Sequence, residues 1–304
     1  MKLTFNVENR QPDPFIFEDG GRFYMYATAT DGVDAYSADD VFGEWRFEGI
    51  VASVENGKSY WAPSIIRLDN KYYLYFSCSV NQSTQMMHVM SSDSPLGPFE
   101  NPKRLYDYFS IDSHAVKTDA GLFLWFSRDG MEGDRIGTRI CIDRLLDPYT
   151  PEYKVRDVVF ATLDEEQFTP KYRPDFPWHT IEGAFWFREG DWQYVMYSGG
   201  CYHNDTYHVG YAAAKTDEAD LTKINFIKCE NGEKFAPVLI KNEFEEGTGH
   251  HSVIKLGGQY YAVYHARDHR DENTPRGVDR RTARICKLHV KDGVITAERY
   301  PDRI

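Results

Sequence analysis

The sequence lacks the features of several common classes of protein. It has 304 residues, with 35 Lys and Arg against 47 Asp and Glu, which gives a net charge of −12. Because so acidic a chain repels phosphate backbones, we do not expect a nucleic-acid partner. No stretch approaches the roughly 18 apolar residues that a membrane-spanning helix needs, so no membrane partner is expected either.

Cysteine is scarce, and its spacing is uninformative. The five cysteines are scattered and form no CxxC pair, so neither a zinc knuckle nor a disulfide framework is indicated. The N-terminus, MKLTFNVENRQPDPF, has no apolar run of the kind that secretory signals contain. We therefore expect reduced thiols and a cytoplasmic location.

Helical periodicity is nearly absent as well. Only residues 217–224 are predicted to form a helical turn or two, which disfavours an α/β fold. Aromatic residues, in contrast, make up 15% of the chain, enough to build a large core and line a cleft. This content excludes a disordered protein.

The aromatic residues occur in five repeats of one pattern. Each repeat has a short apolar segment, a tight polar turn and an aromatic run, and the repeats recur about every 50 to 70 residues. The turns contain Gly, Asn or Asp, as β-hairpin turns do. The five copies are DPFIFEDGGRFYMYAT, APSIIRLDNKYYLYFS, DSHAVKTDAGLFLWFS, EGAFWFREGDWQYVMYS and HHSVIKLGGQYYAVYHA.

Five such units predict an all-β fold, a five-bladed β-propeller with four antiparallel strands per blade around a central channel. A β-sandwich, the rival architecture, would not need five similar hairpins. No linker or shift in composition is visible, so residues 1–304 are expected to form a single catalytic domain. Insertions at 129–138, 147–180 and 267–279 suit loops on one rim.

Polar residues stand at the start of four repeats. They are Asp13, Asp112, Glu182 and His250, while the second repeat has Trp61-Ala62-Pro63 instead. We expect them at equivalent ends of the innermost strands, where they would meet across the channel. Each alone is more often a turn, capping or structural residue. Together, three carboxylates in an apolar setting are costly, which favours a functional interpretation.

Glycosidic bond hydrolysis is a reaction that needs such a set. One protonated carboxyl protonates the leaving oxygen, and one ionised carboxylate acts as nucleophile or activates water. A third negative charge keeps the acid protonated near neutral pH. Aromatic rings and arginines would hold the sugar, and the candidates are Trp61, Trp125, Phe15, Tyr60 and the arginines near 276–284.

At these residues the chain resembles glycoside hydrolase family 43, five-bladed propeller enzymes that act on arabinose- and xylose-containing polysaccharides. The resemblance covers essentially the whole chain and rests on five short segments in blade order. These are RQPDPF, YWAPSI, SIDSHAV, TIEGAFW and GTGHHSV.

The resemblance implies a role for each residue. Asp13 is expected to be the general base, Glu182 the general acid, and Asp112 the carboxylate that tunes and orients the acid. Trp61, Phe15 and His250 would bind substrate, and Arg280 would contact it, with its neighbour Arg281 as the other candidate. The family inverts anomeric configuration, which implies Asp13 and Glu182 carboxyls roughly 6.5–9.5 Å apart.

No cofactor is needed for this chemistry, but His250 matches a channel histidine that helps to hold a hydrated calcium ion in many relatives. The chain departs from many relatives after three of its site residues, with Ser113, Ala184 and His251. These departures leave the subfamily and the sugar open. The substrate is expected to be an oligosaccharide from arabinan or arabinoxylan, while the oligomeric state is not predicted.

The expected activity is an exo-acting α-L-arabinofuranosidase, with a β-D-xylosidase or an endo-arabinanase as alternatives. A cytoplasmic enzyme would meet short oligosaccharides, which favours cleavage from an end. Two other classes remain open. One is a non-catalytic carbohydrate-binding or interaction propeller, since a fold does not fix a function. The other is a metal-dependent hydrolase using His114, His250 and His265, although no HExxH motif supports it.

Overall fold

The computed structural model describes residues 1–168, 176–229, 235–269 and 280–300. These residues form five β-sheets, here numbered I to V in chain order. Sheet I contains β1 Thr4–Phe5, β2 Phe15–Asp19, β3 Arg22–Ala27, β4 Val33–Ala38 and β5 Glu44–Ala52. Sheet II contains β6 Gly57–Leu68, β7 Lys71–Val80, β8 Met86–Ser92 and β9 Glu100–Arg104.

Sheet III is the largest of the five. It contains β10 Ser110–Thr118, β11 Gly121–Gly130, β12 Gly137–Asp147, β13 Thr150–Pro151, β14 Arg156–Val159, β15 Gln167–Phe168 and β16 Trp178–His179. Sheet IV contains β17 Ile181–Glu189, β18 Trp192–Gly199, β19 His208–Lys215 and β20 Ile227–Lys228. Sheet V contains β21 Glu245–Leu256, β22 Gln259–Asp268, β23 Thr282–Lys291 and β24 Val294–Glu298.

The five predicted hairpins are all present. They are β2–β3, β6–β7, β10–β11, β17–β18 and β21–β22, each an antiparallel pair. Their tight turns use left-handed residues, such as Gly20 and Gly21 in the first hairpin and Asp69 and Asn70 in the second. Glycine, asparagine and aspartate adopt this conformation more readily than other residues, which is why the turn composition predicted the hairpins.

Aromatic and aliphatic side chains join the sheets into a ring. Each of five buried apolar clusters lies between two neighbouring sheets, and one of them joins sheet V back to sheet I. In that cluster Ile16 and Met25 of sheet I pack with Val263 and Ile285 of sheet V. The innermost strands β2, β6, β10, β17 and β21 also contact one another around the ring. The predicted all-β propeller is therefore confirmed.

The N-terminal residues add a second connection between sheets I and V. The Leu3 N–H donates to the carbonyl of Ala283, and the Ile285 N–H donates to the carbonyl of Met1, so this segment runs along β23. Directly after Leu3, β1 pairs in parallel with β5 of sheet I. The start of the chain thus hydrogen-bonds to both sheets at the point where the ring closes.

The predictions for the segments between the hairpins are confirmed in part. The segment 217–224 contains a 3-10 turn at Leu221–Lys223, as predicted, and a second such turn lies at Asp164–Glu166. The insertion 147–180 contributes the short strands β13 to β16 to sheet III. Most of the predicted loop 267–279 lies outside the described residues. Among the described residues, no helix has the length and apolarity to cross a membrane.

Each innermost strand is distorted at the same place. One residue just before or within the strand has a left-handed backbone, and strands β6, β10, β17 and β21 shift register beside it. The five residues, with their φ angles, are Asp13 (54°), Ala62 (43°), Asp112 (61°), Gly183 (66°) and His250 (39°). Such a conformation costs about 1–3 kcal/mol at a non-glycine residue and is concentrated at functional sites.

The residue directly after each of these five lies near the axis of the propeller. These five following residues, together with Phe15 and Phe185, line a small cavity that Asp13 and His250 border. Its volume of about 10 Å³ leaves room for roughly one water molecule. The five following residues are Pro14, Pro63, Ser113, Ala184 and His251. The repeated distortion therefore places one residue of each sheet around the axis, and in sheets I, II and V the left-handed residue before it borders the cavity as well.

Candidate active site

Asp13 is a buried carboxylate with several donors. The Thr28 hydroxyl donates to its Oδ2 at 2.5 Å, and Arg281 Nη1 donates to its Oδ1 at 3.2 Å. Nδ1 of His265 lies 3.1 Å from both Oδ1 and the backbone nitrogen of Asp13. Burial alone would raise the pKa of Asp13, but the charge of Arg281, with contacts to His250 and His265, holds it well below its usual range. Asp13 is therefore ionised at neutral pH.

Asp112 belongs to β10, and its side chain contacts the neighbouring strand β17. Its Oδ2 accepts a hydrogen bond of 3.1 Å from the Gly183 N–H. His250 Nδ1 lies 3.9 Å from this oxygen and 3.6 Å from Oδ1 of Asp13, so the imidazole lies between the two carboxylates. Burial, followed by the neighbouring charges of Glu182 and Asp13, raises the pKa of Asp112 well above its ordinary value.

Glu182, in β17, is the third carboxylate of the cluster. Its Oε1 accepts a hydrogen bond of 2.6 Å from the Tyr207 hydroxyl. Burial raises the pKa of Glu182 to about 7, and the negative charge of Asp13 acts in the same direction, against the Tyr207 hydrogen bond and the charge of Arg281. A carboxyl with this pKa holds a proton over the same pH range in which Asp13 is ionised.

The position of Glu182 within its repeat differs from the prediction by one residue. Asp13, Asp112 and His250 share the left-handed position, as expected, but in sheet IV this position is occupied by Gly183. Glu182 directly precedes the left-handed residue of its repeat, as Trp61 directly precedes Ala62 in the second repeat. The expectation that Glu182 shares the repeat phase of the other three is wrong, because the left-handed residue, not the acidic one, marks the equivalent position.

Comparisons with known proteins agree with this site. A family model described as glycosyl hydrolases family 43 matches residues 6–295, nearly the whole chain. The chain belongs to this family. The match includes strands β2 to β23 in full and the start of β24, while β1 precedes it.

Relatives of this family 43 chain have several named activities. A xylosidase/arabinosidase from Bacteroides ovatus is 25% identical over 297 residues, covering 83% of this chain and 85% of the relative. An extracellular exo-α-(1→5)-L-arabinofuranosidase from Streptomyces avermitilis is 24% identical, covering 100% and 68%. Other matches are named probable arabinan endo-1,5-α-L-arabinosidases. The relatives therefore agree on glycoside hydrolysis and differ in substrate and mode of cleavage.

Solved structures support the fold. A thermostable family-43 glycoside hydrolase superimposes with a TM-score of 0.82 at 24% identity, covering 98% of this chain and 95% of that one. This similarity extends over essentially the full length, so the ring of sheets described above is the architecture of the family.

His250 in the family 43 chain is fixed by its surroundings. Its backbone N–H donates to Ser198 Oγ at 2.7 Å, and a Cβ at Gly183 would lie only 3.3 Å from its ring. Burial lowers the pKa of His250, which favours the neutral imidazole. Calcium prefers six to eight oxygen ligands. In the described part of the chain, no three His, Cys, Asp or Glu side chains are placed to hold a metal, so calcium at His250 stays a prediction.

The predicted sugar-binding residues have different surroundings. Trp61 is 38% exposed beside Ala62 and is free to stack on a ligand. Phe15 packs against the rings of His114 and Phe185 and lines the small axial cavity, so its contact with substrate stays a prediction. Trp125 and Tyr60 were also expected to act as platforms, and this is wrong, because both are fully buried between sheets.

The arginine beside the carboxylates is Arg281. It donates to Asp13, and its guanidinium lies 4.1 Å from the centre of the Tyr202 ring. Arg280, the first choice from the sequence, is exposed. Neighbouring residues of extended chain point in opposite directions, so only one of this adjacent pair can face the site. The structure thus favours the second candidate over the first.

Sequence reasoning did not place three residues beside the carboxylates, although it named one of them, His265, as a candidate metal ligand. Thr28 and His265 follow the aromatic runs of the first and fifth repeats, and both contact Asp13. Their common position at the end of the second hairpin strand is a signal that the repeats contained. Tyr207, which contacts Glu182, lies outside the repeated segments, and no sequence pattern distinguishes it from the other 20 tyrosines.

Proposed function

We propose that this family 43 chain is an inverting exo-acting α-L-arabinofuranosidase that removes terminal pentose units from arabinan or arabinoxylan oligosaccharides. The observation that supports this most directly is the difference between two neighbouring carboxyls. Asp13 is held ionised by Arg281, while burial raises the pKa of Glu182 to about 7. Such a pair supplies the base and the acid that inversion requires.

In the proposed mechanism, Asp13 accepts a proton from the water that attacks the anomeric carbon. As the new bond from water oxygen to carbon forms, the glycosidic bond breaks, and its electron pair goes to the leaving oxygen. Glu182 donates its proton to this oxygen. Thr28 and Arg281 hold Asp13 in a fixed orientation. Asp112 has the tuning role in this proposal, because two interacting buried carboxyls do not both ionise readily. No step of this mechanism uses calcium.

Among the activities named for the relatives, we propose release of arabinose from a chain end. A named exo-arabinofuranosidase matches the whole chain, and the exposed Trp61 beside the cluster offers a stacking surface for one sugar ring. The match to a xylosidase/arabinosidase keeps β-D-xylosidase as the second candidate. A cytoplasmic location stays a prediction, and the Streptomyces relative is extracellular by name.

A substrate panel tests this proposal. Purified protein would be given nitrophenyl α-L-arabinofuranoside, nitrophenyl β-D-xyloside, arabino-oligosaccharides and polymeric arabinan, and the first product would be identified by proton NMR. We expect arabinose from the arabinoside and from oligosaccharide ends, released first as the β-anomer. Faster release of xylose than of arabinose would favour the second candidate, a β-D-xylosidase. Cleavage within the arabinan chain would show that the enzyme is endo-acting. An α-anomer as first product would contradict inversion, and binding without cleavage would indicate a non-catalytic propeller.

The pH dependence of kcat/KM gives a second prediction. Because Glu182 must be protonated and its pKa is about 7, activity is expected to fall as the pH rises through about 7. Asp112 and Glu182 interact, so the pair loses its two protons in separate steps, and the second proton leaves at a higher pH than it would from a lone carboxyl. Asp112→Asn leaves Glu182 as a lone carboxyl, so the alkaline limb should move to lower pH. The measurement is kcat/KM against pH for both proteins.

A matched control is Asp129→Asn. Burial raises the pKa of Asp129 too, but Asp129 lies near the end of β11, paired with Thr138 of β12, and does not take part in the proposed mechanism. We expect it to keep the wild-type profile. An alkaline limb that is identical in Asp112→Asn and wild type would contradict the tuning role of Asp112.

A further inference from the structure

Tyr207 is held rigidly between the two proposed catalytic carboxyls. It immediately precedes β19 and is 1% exposed, and its hydroxyl donates to Glu182 Oε1 at 2.6 Å. Its ring stacks on the imidazole of His265, with centroids 5.7 Å apart and planes 11° from parallel. On another side the ring lies against Gly249, where an added Cβ would come within 2.0 Å of it. The side chain therefore has almost no freedom to move.

The hydrogen bond from Tyr207 determines which of the two carboxyl oxygens of Glu182 carries the acidic proton. A carboxyl oxygen that accepts a short hydrogen bond from a fixed donor is the poorer place for a second hydrogen, because the two hydrogens would repel each other. The donor here points at Oε1, so the acidic hydrogen belongs on Oε2. We infer that Tyr207 is a positioning residue that fixes the transferable proton of Glu182 on Oε2, the oxygen free to protonate the leaving group.

Two further observations agree with this role, which rests on the proposed function of Glu182 as the acid. Burial, together with the charge of Glu182, raises the pKa of Tyr207 well above its ordinary value, so the phenol stays a donor throughout the working pH range. The ring also covers His265, whose Nδ1 lies 3.1 Å from Asp13 Oδ1. Tyr207 thus touches the acid directly and the base through its histidine, which fixes their relative position.

Tyr207→Phe removes the hydroxyl and keeps the ring. With an arabino-oligosaccharide, whose leaving group needs protonation, we expect kcat to fall about 10- to 100-fold with little change in KM. With a dinitrophenyl glycoside, which leaves without an acid, kcat should change by less than about threefold. The hydrogen bond favours the ionised form of Glu182, so its loss should move the alkaline limb up by about one pH unit.

Tyr260→Phe is the matched control. Its hydroxyl donates to Glu189 at the same distance of 2.6 Å, near the Gly257–Gly258 turn at the other end of the β21–β22 hairpin. This variant should keep the wild-type rates and pH profile. An unchanged alkaline limb and an equal loss of kcat on both leaving groups in Tyr207→Phe would overturn the inference, because a merely structural residue would behave in that way.

A second variant tests the inference if Tyr207→Phe does not fold. 3-Fluorotyrosine at position 207 adds a single fluorine to the ring and makes the phenol a stronger donor, so the alkaline limb should move to lower pH, opposite to the phenylalanine variant. A limb that stays in place in a folded protein overturns the inference. The proposed function itself is tested separately by Glu182→Gln: if that variant loses activity equally on both leaving groups, Glu182 is not the acid, whatever Tyr207 does.

Discussion

Replacement of Asp13 by Asn is expected to lower kcat/KM by about 10²- to 10⁴-fold on every glycoside that the enzyme cleaves. The amide cannot accept the proton of the attacking water, although it occupies the same space and can still accept the Thr28 hydrogen bond. The loss should not depend on the leaving group, because the base acts on water and not on the departing sugar. Steady-state kinetics with an oligosaccharide and a dinitrophenyl glycoside measure both features.

Asp268→Asn serves as the control for this variant. Asp268 also pairs with an arginine, Arg284, at 2.6 Å, but its side chain is 69% exposed at the end of β22. It should retain wild-type kinetics. Thermal unfolding of both variants separates lost catalysis from lost structure, since Asp13→Asn removes a carboxylate that Arg281 contacts. A folded Asp13→Asn protein with more than a tenth of the wild-type activity would show that Asp13 is not the general base.

Replacement of Glu182 by Gln is expected to have an effect of similar size, but one that depends on the leaving group. With an oligosaccharide, kcat/KM should fall by about 10²- to 10⁴-fold, because the departing oxygen is no longer protonated. With a dinitrophenyl glycoside most of the activity should remain. The alkaline limb of the wild-type profile, expected near pH 7 from the raised pKa of Glu182, should also disappear.

Glu189→Gln provides the comparison. Glu189 likewise accepts a tyrosine hydroxyl at 2.6 Å, but it belongs to the outer end of β17, where it pairs with Lys255. It should leave rates and profile unchanged. If Glu182→Gln kept its alkaline limb on the oligosaccharide, the titrating group would have to be another carboxyl, and Asp112, whose pKa is also raised, would be the first to examine.

The sequence alone gave a good account of the fold, because the turn residues and the aromatic runs both report local structure. Paired left-handed residues such as Asp69 and Asn70 need little beyond their neighbours to form a hairpin, so all five hairpins were predicted. Repetition then supplied the propeller. The short strands β13 to β16 were not foreseen, because two- to four-residue strands exist only through pairing with β12 and with one another.

For the site, the sequence identified the three carboxylates and His250, since polar residues at the start of apolar strands stand out. It did not establish which arginine faces Asp13, because Arg280 and Arg281 are chemically identical and differ only in the direction in which the backbone points them. It also predicted more sugar-stacking aromatic residues than the structure provides. The packing of sheets III and IV, which a linear pattern does not show, buries Trp125 completely.

The sequence by itself therefore determined the set of β-hairpins and most of the side chains of the site, since both follow from residue types over short distances along the chain. The tertiary structure decided how those groups differ. Asp13 is ionised because Arg281, 268 residues away along the chain, lies beside it, and Glu182 has a raised pKa because the closed ring of sheets removes it from water. The contact with Tyr207 likewise arises only when sheet IV folds. Charge and burial depend on neighbours in space, and a chain gains those neighbours only on folding.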